Sequence, residues 1–182
     1  VNSASATVEE VAWDDPRAAA LRAAMSVEMQ ARYAGRSENQ DAVRAAISVD
    51  PADMVSTVIV SDQDGTPVAH AALRRLGAEW EVKRVIVDAD RRGQGLGRLL
   101  MAALEDIATR RGATRLILQT GDRQPDAVAL YRRLGYTEIP VYQPYTDAVP
   151  FSLCFEKVLA APVIDPDDAD DRGERDLSGA AR

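Results

Sequence analysis

The stretch that decides how this chain is read is Arg91 to Leu100, "RRGQGLGRLL". Gly93, Gly95 and Gly97 alternate behind two arginines and ahead of an apolar run. Glycine at that density weakens helix and strand alike, so the backbone there must turn sharply or be closely approached. Upstream, "EWEVKRVIV" (79–87) reads as a strand. Downstream, Leu96, Leu99, Leu100, Ala103, Leu104, Ile107 and Ala108 trace one face of a helix that Gly112 closes. Glycines between a strand and a helix suit an anion: the unpaired N–H groups of the first helical turn point outward along the positive end of the helix dipole. Arg91, Arg92 and Arg98 add cationic charge for the same anion. A tight turn that merely lets helix pack on strand explains the glycines equally well.

Two familiar phosphate motifs do not fit. A P-loop ends in Gly-Lys-Ser/Thr, whereas Gly97 is followed by Arg98 and Leu99. The dinucleotide fingerprint needs G-x-G-x-x-G, whereas these glycines are spaced G-x-G-x-G.

The rest of the chain supplies the frame. Val8 to Val11 suits a first strand, Asp15 to Ala34 a helix with apolar residues three and four apart, and Glu38 to Ile47 a shorter helix. "VSTVIVS" (55–61) and "PVAHAALRRL" (67–76) are strands joined by "DQDGT", whose Asp64-Gly65 signals a hairpin. "TRLILQT" (114–120) reads as a buried strand, "QPDAVALYRRLG" (124–135) as a helix started by Pro125 and stopped by Gly135, and "YTEI" and "FSLCFEKV" as the last strands. The expected fold is a single α/β domain over residues 1–161: a mixed, largely antiparallel central sheet with flanking helices.

Composition narrows the class. The chain has 182 residues, 46% hydrophobic and 28% charged, as in ordinary globular proteins, and no run is apolar enough to span a bilayer. "VNSASATVEE" lacks the regions of a signal peptide, so the expected location is cytoplasmic. One cysteine and one histidine, Cys154 and His70, exclude an internal disulfide and a Cys/His zinc site, and no metal is expected. The net charge of −7 is uneven: Pro162 to Arg182 carries seven acids against three arginines, and reads as a disordered acidic tail. Nothing in the charge suggests nucleic acid or membrane as a partner.

"RGQGLG" (92–97) resembles the [Arg/Gln]-x-x-Gly-x-[Gly/Ala] motif of the GNAT superfamily of acetyl-CoA-dependent N-acetyltransferases. Roughly 35 residues on, about a helix plus a strand, "QPDAVALYRRLGY" resembles that superfamily's second motif, Asn-x-x-Ala-x-x-Leu-Tyr-x-x-x-Gly-[Phe/Tyr], with Gln124 in place of Asn. The resemblance covers Val8 to Leu159, and "GYTEIPVYQPYTDAVPFSLCFEK" further resembles a bacterial, YsnE-like subgroup. It implies acetyl transfer from acetyl-CoA to a primary amine of a small molecule or peptide within a ternary complex, and it is compatible with a homodimer. A CoA-binding module of the same fold without turnover is the alternative.

The resemblance also implies roles. The CoA diphosphate would lie on Arg92, Gly93, Gln94, Gly95, Leu96, Gly97 and Arg98. The strand Val85, Ile86 and Val87 and the amide of Gln124 would take the pantetheine, and a strand amide would stabilise the thioester oxygen as it gains charge. An alkyl amine has a pKa of about 10.4 and must lose a proton before it attacks. Glu81 is expected as that base, six residues before Val87 and therefore of the same side-chain parity. Glu79, a water chain, or a substrate that arrives neutral are the other ways. Gln119, where some relatives place a base, cannot take a proton. Tyr131 is expected to protonate the departing thiolate. His70 and Cys154 read as packing residues, and Tyr142 and Tyr145 as possible acceptor contacts.

Overall fold

The structure, a computed structural model, describes residues 6–36 and 39–160. The acidic segment 162–182 lies outside the described residues. Seven strands form one sheet: β1 (Thr7–Val11), β2 (Met54–Ser61), β3 (Pro67–Leu76), β4 (Glu79–Val87), β5 (Arg115–Gly121), β6 (Thr137–Ile139) and β7 (Ser152–Val158), ordered β1-β2-β3-β4-β5-β7-β6. All neighbours are antiparallel except β4 and β5. Among the described residues five helices flank it: α1 (Pro16–Arg32), α2 (Gln40–Ile47), α3 (Leu96–Arg110), α4 (Pro125–Arg133) and α5 (Tyr145–Ala148). This is the mixed, largely antiparallel single-domain architecture expected. None of the described helices is long and apolar enough to cross a membrane.

Local chemistry sets the element boundaries. The Asp15 carboxylate caps α1 by accepting from the Arg17 N–H, with Pro16 in the first turn. In the β2–β3 hairpin the Asp62 carboxylate accepts from the N–H of Asp64 and Thr66, both at 3.0 Å, and Gly65 turns left-handed at φ +78°.

The sheet has two covered faces. On one, Val58, Val60, Ala71, Leu73, Val82, Leu118 and Phe155 pack against Leu100, Met101 and Leu104 of α3. On the other, Ala18 and Leu21 of α1 cover Ile59 and Ile86, while Tyr145 and Val149 join Ala46 of α2. The second face is the thinner one, and it leaves room for a site.

Two irregularities in β4 shape that room. The strand pairs with β5 only at Glu81–Ile117 and Val82–Leu118, then parts from it. Against β3 the register passes from Ala72↔Lys83 to His70↔Ile86, so three steps on β4 oppose two on β3. This is a β-bulge, and Arg84 within it has φ +57°. The extra residue inverts the side-chain alternation. Trp80 and Val82 face α3 before the bulge, and Val85 and Val87 face α3 after it. Glu81 therefore lies on the opposite face from Val85 and Val87. The even step expected to align them holds only for an unbroken strand.

Candidate active site

A cleft of about 910 Å³ runs along the C-terminal end of β4, between α1, α3 and α4. Its floor is Val85, Ile86 and Val87, and Gly93, Gly95, Leu96, Gly97 and Arg98 line one end. Gly93 and Gly95 take φ +77° and +85°, the left-handed region where a side chain is costly, and a Cβ on either would meet no protein atom within 4 Å. Gly95 caps α3 with no side-chain partner, so among the described residues the N–H groups of Leu96, Gly97 and Arg98 have no acceptor. The space in front of them is open and their dipoles converge there, so the corner fits a diphosphate. Gly97 serves differently: its Cβ would sit 3.0 Å from Leu130 of α4, so its smallness lets two helices close.

The arginines divide the work. Arg92 lines the cleft, but its guanidinium binds Glu28 of α1 at 2.6 Å and the Val87 carbonyl at 3.1 Å, so it ties the corner to α1. Arg91 is held by Asp62 at 2.8 Å. Arg98 and Arg133 also line the cleft, and Arg133 is outside the expected set because its position in the second motif is a variable one. Gln94 lies outside the lining.

A second cavity, of about 410 Å³, opens where β4 and β5 part. Its walls come from α1 (Met25, Met29), α2 (Val43, Arg44, Ile47), β4 (Lys83, Arg84, Val85), β5 (Gln119) and the stretch before β7 (Val149, Phe151), with Tyr33 and Arg36 after α1. Met25, Met29, Val85 and Gln124 line both cavities, so the two meet there. Gln124 thus stands at the junction, as the N-cap residue of α4. Gln119 lines the second cavity and its amide donates to Ser152 Oγ at 3.0 Å.

Glu81 lies beneath this cavity, in the lining of neither. It is 0% exposed, and Arg74 Nε donates to its Oε2 at 2.6 Å while the hydroxyls of Tyr145 and Tyr142 donate to Oε1 at 2.7 and 2.9 Å. Lys83 Nζ stands 3.7 Å from that carboxylate and donates to the Tyr145 hydroxyl at 2.7 Å. Lys83 does reach the cavity wall. Its burial, reinforced by Arg74 and Arg84 and opposed by Glu81, lowers its pKa from 10.5 to about 8. Tyr142 and Tyr145 are thus members of the buried cluster, not cavity contacts. Glu79, the reserve base, is on the surface in ion pairing with Arg115.

Tyr131 also departs from expectation. It is 5% exposed, its ring packs 5.9 Å from Tyr136 and 6.0 Å from Phe155, and neither cavity is lined by it. Its burial raises its pKa, so it holds its proton. Cys154 is a buried core thiol, as read. His70 is wholly buried but has defined partners: Nδ1 lies 2.8 Å from the Arg84 carbonyl and Nε2 3.2 Å from Arg22 Nη1. These partners require a neutral ring with Nδ1–H donating, and burial lowers its pKa to about 4. Its place is behind the bulge, which no sequence pattern signalled. Among the described residues no group of His, Cys, Asp and Glu is placed to hold a metal.

Fold and site together define a mixed α/β protein with an open, amide-lined corner beside a parting of its sheet. The sequence model of the acetyltransferase (GNAT) family matches residues 18–136, a span containing both motifs. The chain belongs to that family of acyl-CoA-dependent transferases. It is 37% identical over 103 residues to an IAA acetyltransferase of Azospirillum brasilense, covering 56% of this chain and 67% of the relative. Against the ribosomal protein bS18-alanine N-acetyltransferase of Escherichia coli K12 it is 35% identical over 88 residues, 47% of this chain and 60% of that one. A solved structure from Klebsiella pneumoniae, assigned to the acyl-CoA N-acyltransferases, superposes with a TM-score of 0.69 at 30% identity, covering 85% of this chain and 98% of its own.

Proposed function

We propose that the protein is an N-acetyltransferase that moves the acetyl group of acetyl-CoA to a primary amine, with both substrates bound at once. The observation that carries this reading is the meeting of an anion cradle and a second, ligand-sized cavity at Met25, Met29, Val85 and Gln124. Acetyl-CoA supplies the acetyl thioester. The N–H groups from Gly93 to Arg98, with Arg98 and Arg133, would hold its diphosphate, and Arg92 braces them through Glu28. The edge of β4 from Val85 to Val87, which β5 leaves unpaired, offers N–H and C=O groups to an extended chain.

Deprotonation of the amine is assigned to the Lys83–Tyr145–Glu81 chain, with Lys83 at the cavity wall. In this reading Glu81 acts at one remove, holding Tyr145 and Lys83 in place. A proton donor for the leaving thiolate is assigned to Tyr131, on the support of its motif position and its retained proton. Within the family, the stretch from Gly135 to Lys157 supports placement in the YsnE-like subgroup.

The test is thiol release from acetyl-CoA over a panel of amines, beside calorimetric binding of acetyl-CoA. Turnover supports the reading. Replacing Lys83 with Met is expected to remove the acid limb of the kcat/KM profile, the rise with pH centred near pH 8, and Tyr131→Phe to lower turnover far more than cofactor affinity; equal turnover in the latter removes its role. One observation favours a second reading, a CoA-binding module without turnover: Glu81 and Tyr131 both lie off the cavity walls. Tight acetyl-CoA binding with no turnover on any amine would establish that reading instead.

A further inference from the structure

We infer that the acceptor is an amine that also bears a carboxylate, with an apolar body, and that Arg84 binds the carboxylate; this rests on the transferase reading above. The argument begins with the backbone. Arg84 occupies φ +57°, where an L-residue costs about 1–2 kcal/mol that glycine does not. The bulge needs the conformation, but glycine would meet that need more cheaply. An arginine kept there is accounted for by what its side chain does. The strained carbonyl is held from behind by His70 at 2.8 Å, so the bulge is fixed and the side chain is aimed.

That side chain lines the second cavity. Arg36, Arg44, Lys83 and Arg84 all line it, and among the described residues no aspartate or glutamate does. Three of the four have counter-charges elsewhere: Arg36 in Asp122, Arg44 in Asp41 at 3.6 Å, and Lys83 in Glu81 at 3.7 Å. Arg84 differs. Its side chain donates to the Ile47 carbonyl at 3.4 Å, and among the described residues no carboxylate stands within ion-pairing distance of it. Burial lowers its pKa, which is the cost of a charge removed from water without a partner. A ligand carboxylate would supply the partner in the two-pronged geometry a guanidinium favours.

The remaining wall is apolar, with Met29, Tyr33, Val43 and Phe151 facing a volume of about 410 Å³, within the range of small-ligand sites. An apolar amino acid matches this lining. Polyamines, aminoglycosides and lysine-rich peptides bring further positive charge into a cavity where, among the described residues, no carboxylate receives it.

The test compares acceptors differing in the carboxylate: L-phenylalanine and L-leucine against phenylalaninamide, phenethylamine and isopentylamine, with spermidine as the polycation. The amino acids are expected to exceed their carboxylate-free partners in kcat/KM by about 10- to 100-fold, the usual worth of one charge-assisted bond. Arg84→Gly relaxes the backbone while deleting the guanidinium; it is expected to bring the preference to about threefold or less and to leave acetyl-CoA affinity near wild type. Arg84→Lys is expected to keep part of the preference. Equal or better use of the neutral amines or spermidine overturns the inference, as does a preference that survives Arg84→Gly. Acetyl-CoA binding with no amino acid bound or acetylated overturns it too, while leaving the cofactor reading intact. A wild-type protein that fails to bind acetyl-CoA breaks the transferase reading instead.

Discussion

The two cavities that meet at Val85 present polar groups in different ways. In the larger cleft these are mostly the free backbone N–H groups at the start of α3, and Arg92 serves as a brace. In the smaller cavity they are side chains, Arg36 after α1, Arg44 of α2 and Lys83 and Arg84 of β4; the first three have carboxylate partners, and Arg84 is the one proposed to meet a ligand. A backbone site depends on φ and on helix direction, and tolerates change in most side chains. A side-chain site depends on packing at a distance, and one substitution can respecify it.

The comparison can be broken at either end. The largest effect is expected beneath the acceptor cavity: Glu81→Leu strands Arg74 and Lys83 without their carboxylate and should cost about 3–5 kcal/mol, read from chemical denaturation midpoints. An unchanged midpoint would show that the cluster is not what holds this wall. Next is the histidine behind the bulge. Its folded pKa is lowered from 6.5 to about 4, so between those values the unfolded chain binds a proton that the folded protein refuses. Stability is therefore whole above pH 6.5 and falls as pH drops towards 4, by on the order of 3 kcal/mol. A His70→Gln variant should lose that slope. In the cofactor corner, Gly95→Val puts a branched side chain at φ +85° in front of the free amides, and acetyl-CoA affinity should fall by about 100-fold, roughly 2.7 kcal/mol, by calorimetry. Retained affinity would sink the backbone-cradle reading. The smallest effect is expected at Gly121, where a Cβ would come within 1.9 Å of the Tyr33 hydroxyl. Gly121→Ala should cost about 1 kcal/mol and raise acceptor KM as Tyr33 moves, with acetyl-CoA affinity unchanged.

The strand-and-helix order was legible because each element carries its own periodicity, and β3 and β4 run over the very residues whose pattern defined them, Pro67–Leu76 and Glu79–Val87. The glycine corner was legible because its turn geometry is local. The surroundings of Glu81 were not. Glu81 looked available on an alternating strand, yet it is sealed by Tyr142 and Tyr145, which stand more than sixty residues away in the chain. Tyr145, expected as a possible acceptor contact, sits in a four-residue helix with its hydroxyl in the ion cluster. Arg133 and His70 gave no signal, since a lone arginine on a helix or a lone histidine on a strand has no pattern of its own.

By itself, then, the sequence determined the family, the sheet and the position of the glycine corner, because short-range rules govern hydrophobic alternation, helix capping and glycine turns. Only the tertiary structure decided which face Glu81 occupies, which arginines are held by carboxylates and which lines a cavity without one. The reason lies in β4: one additional residue at Arg84 reverses the alternation, and a bulge is defined by the register of a neighbouring strand, which no single segment contains.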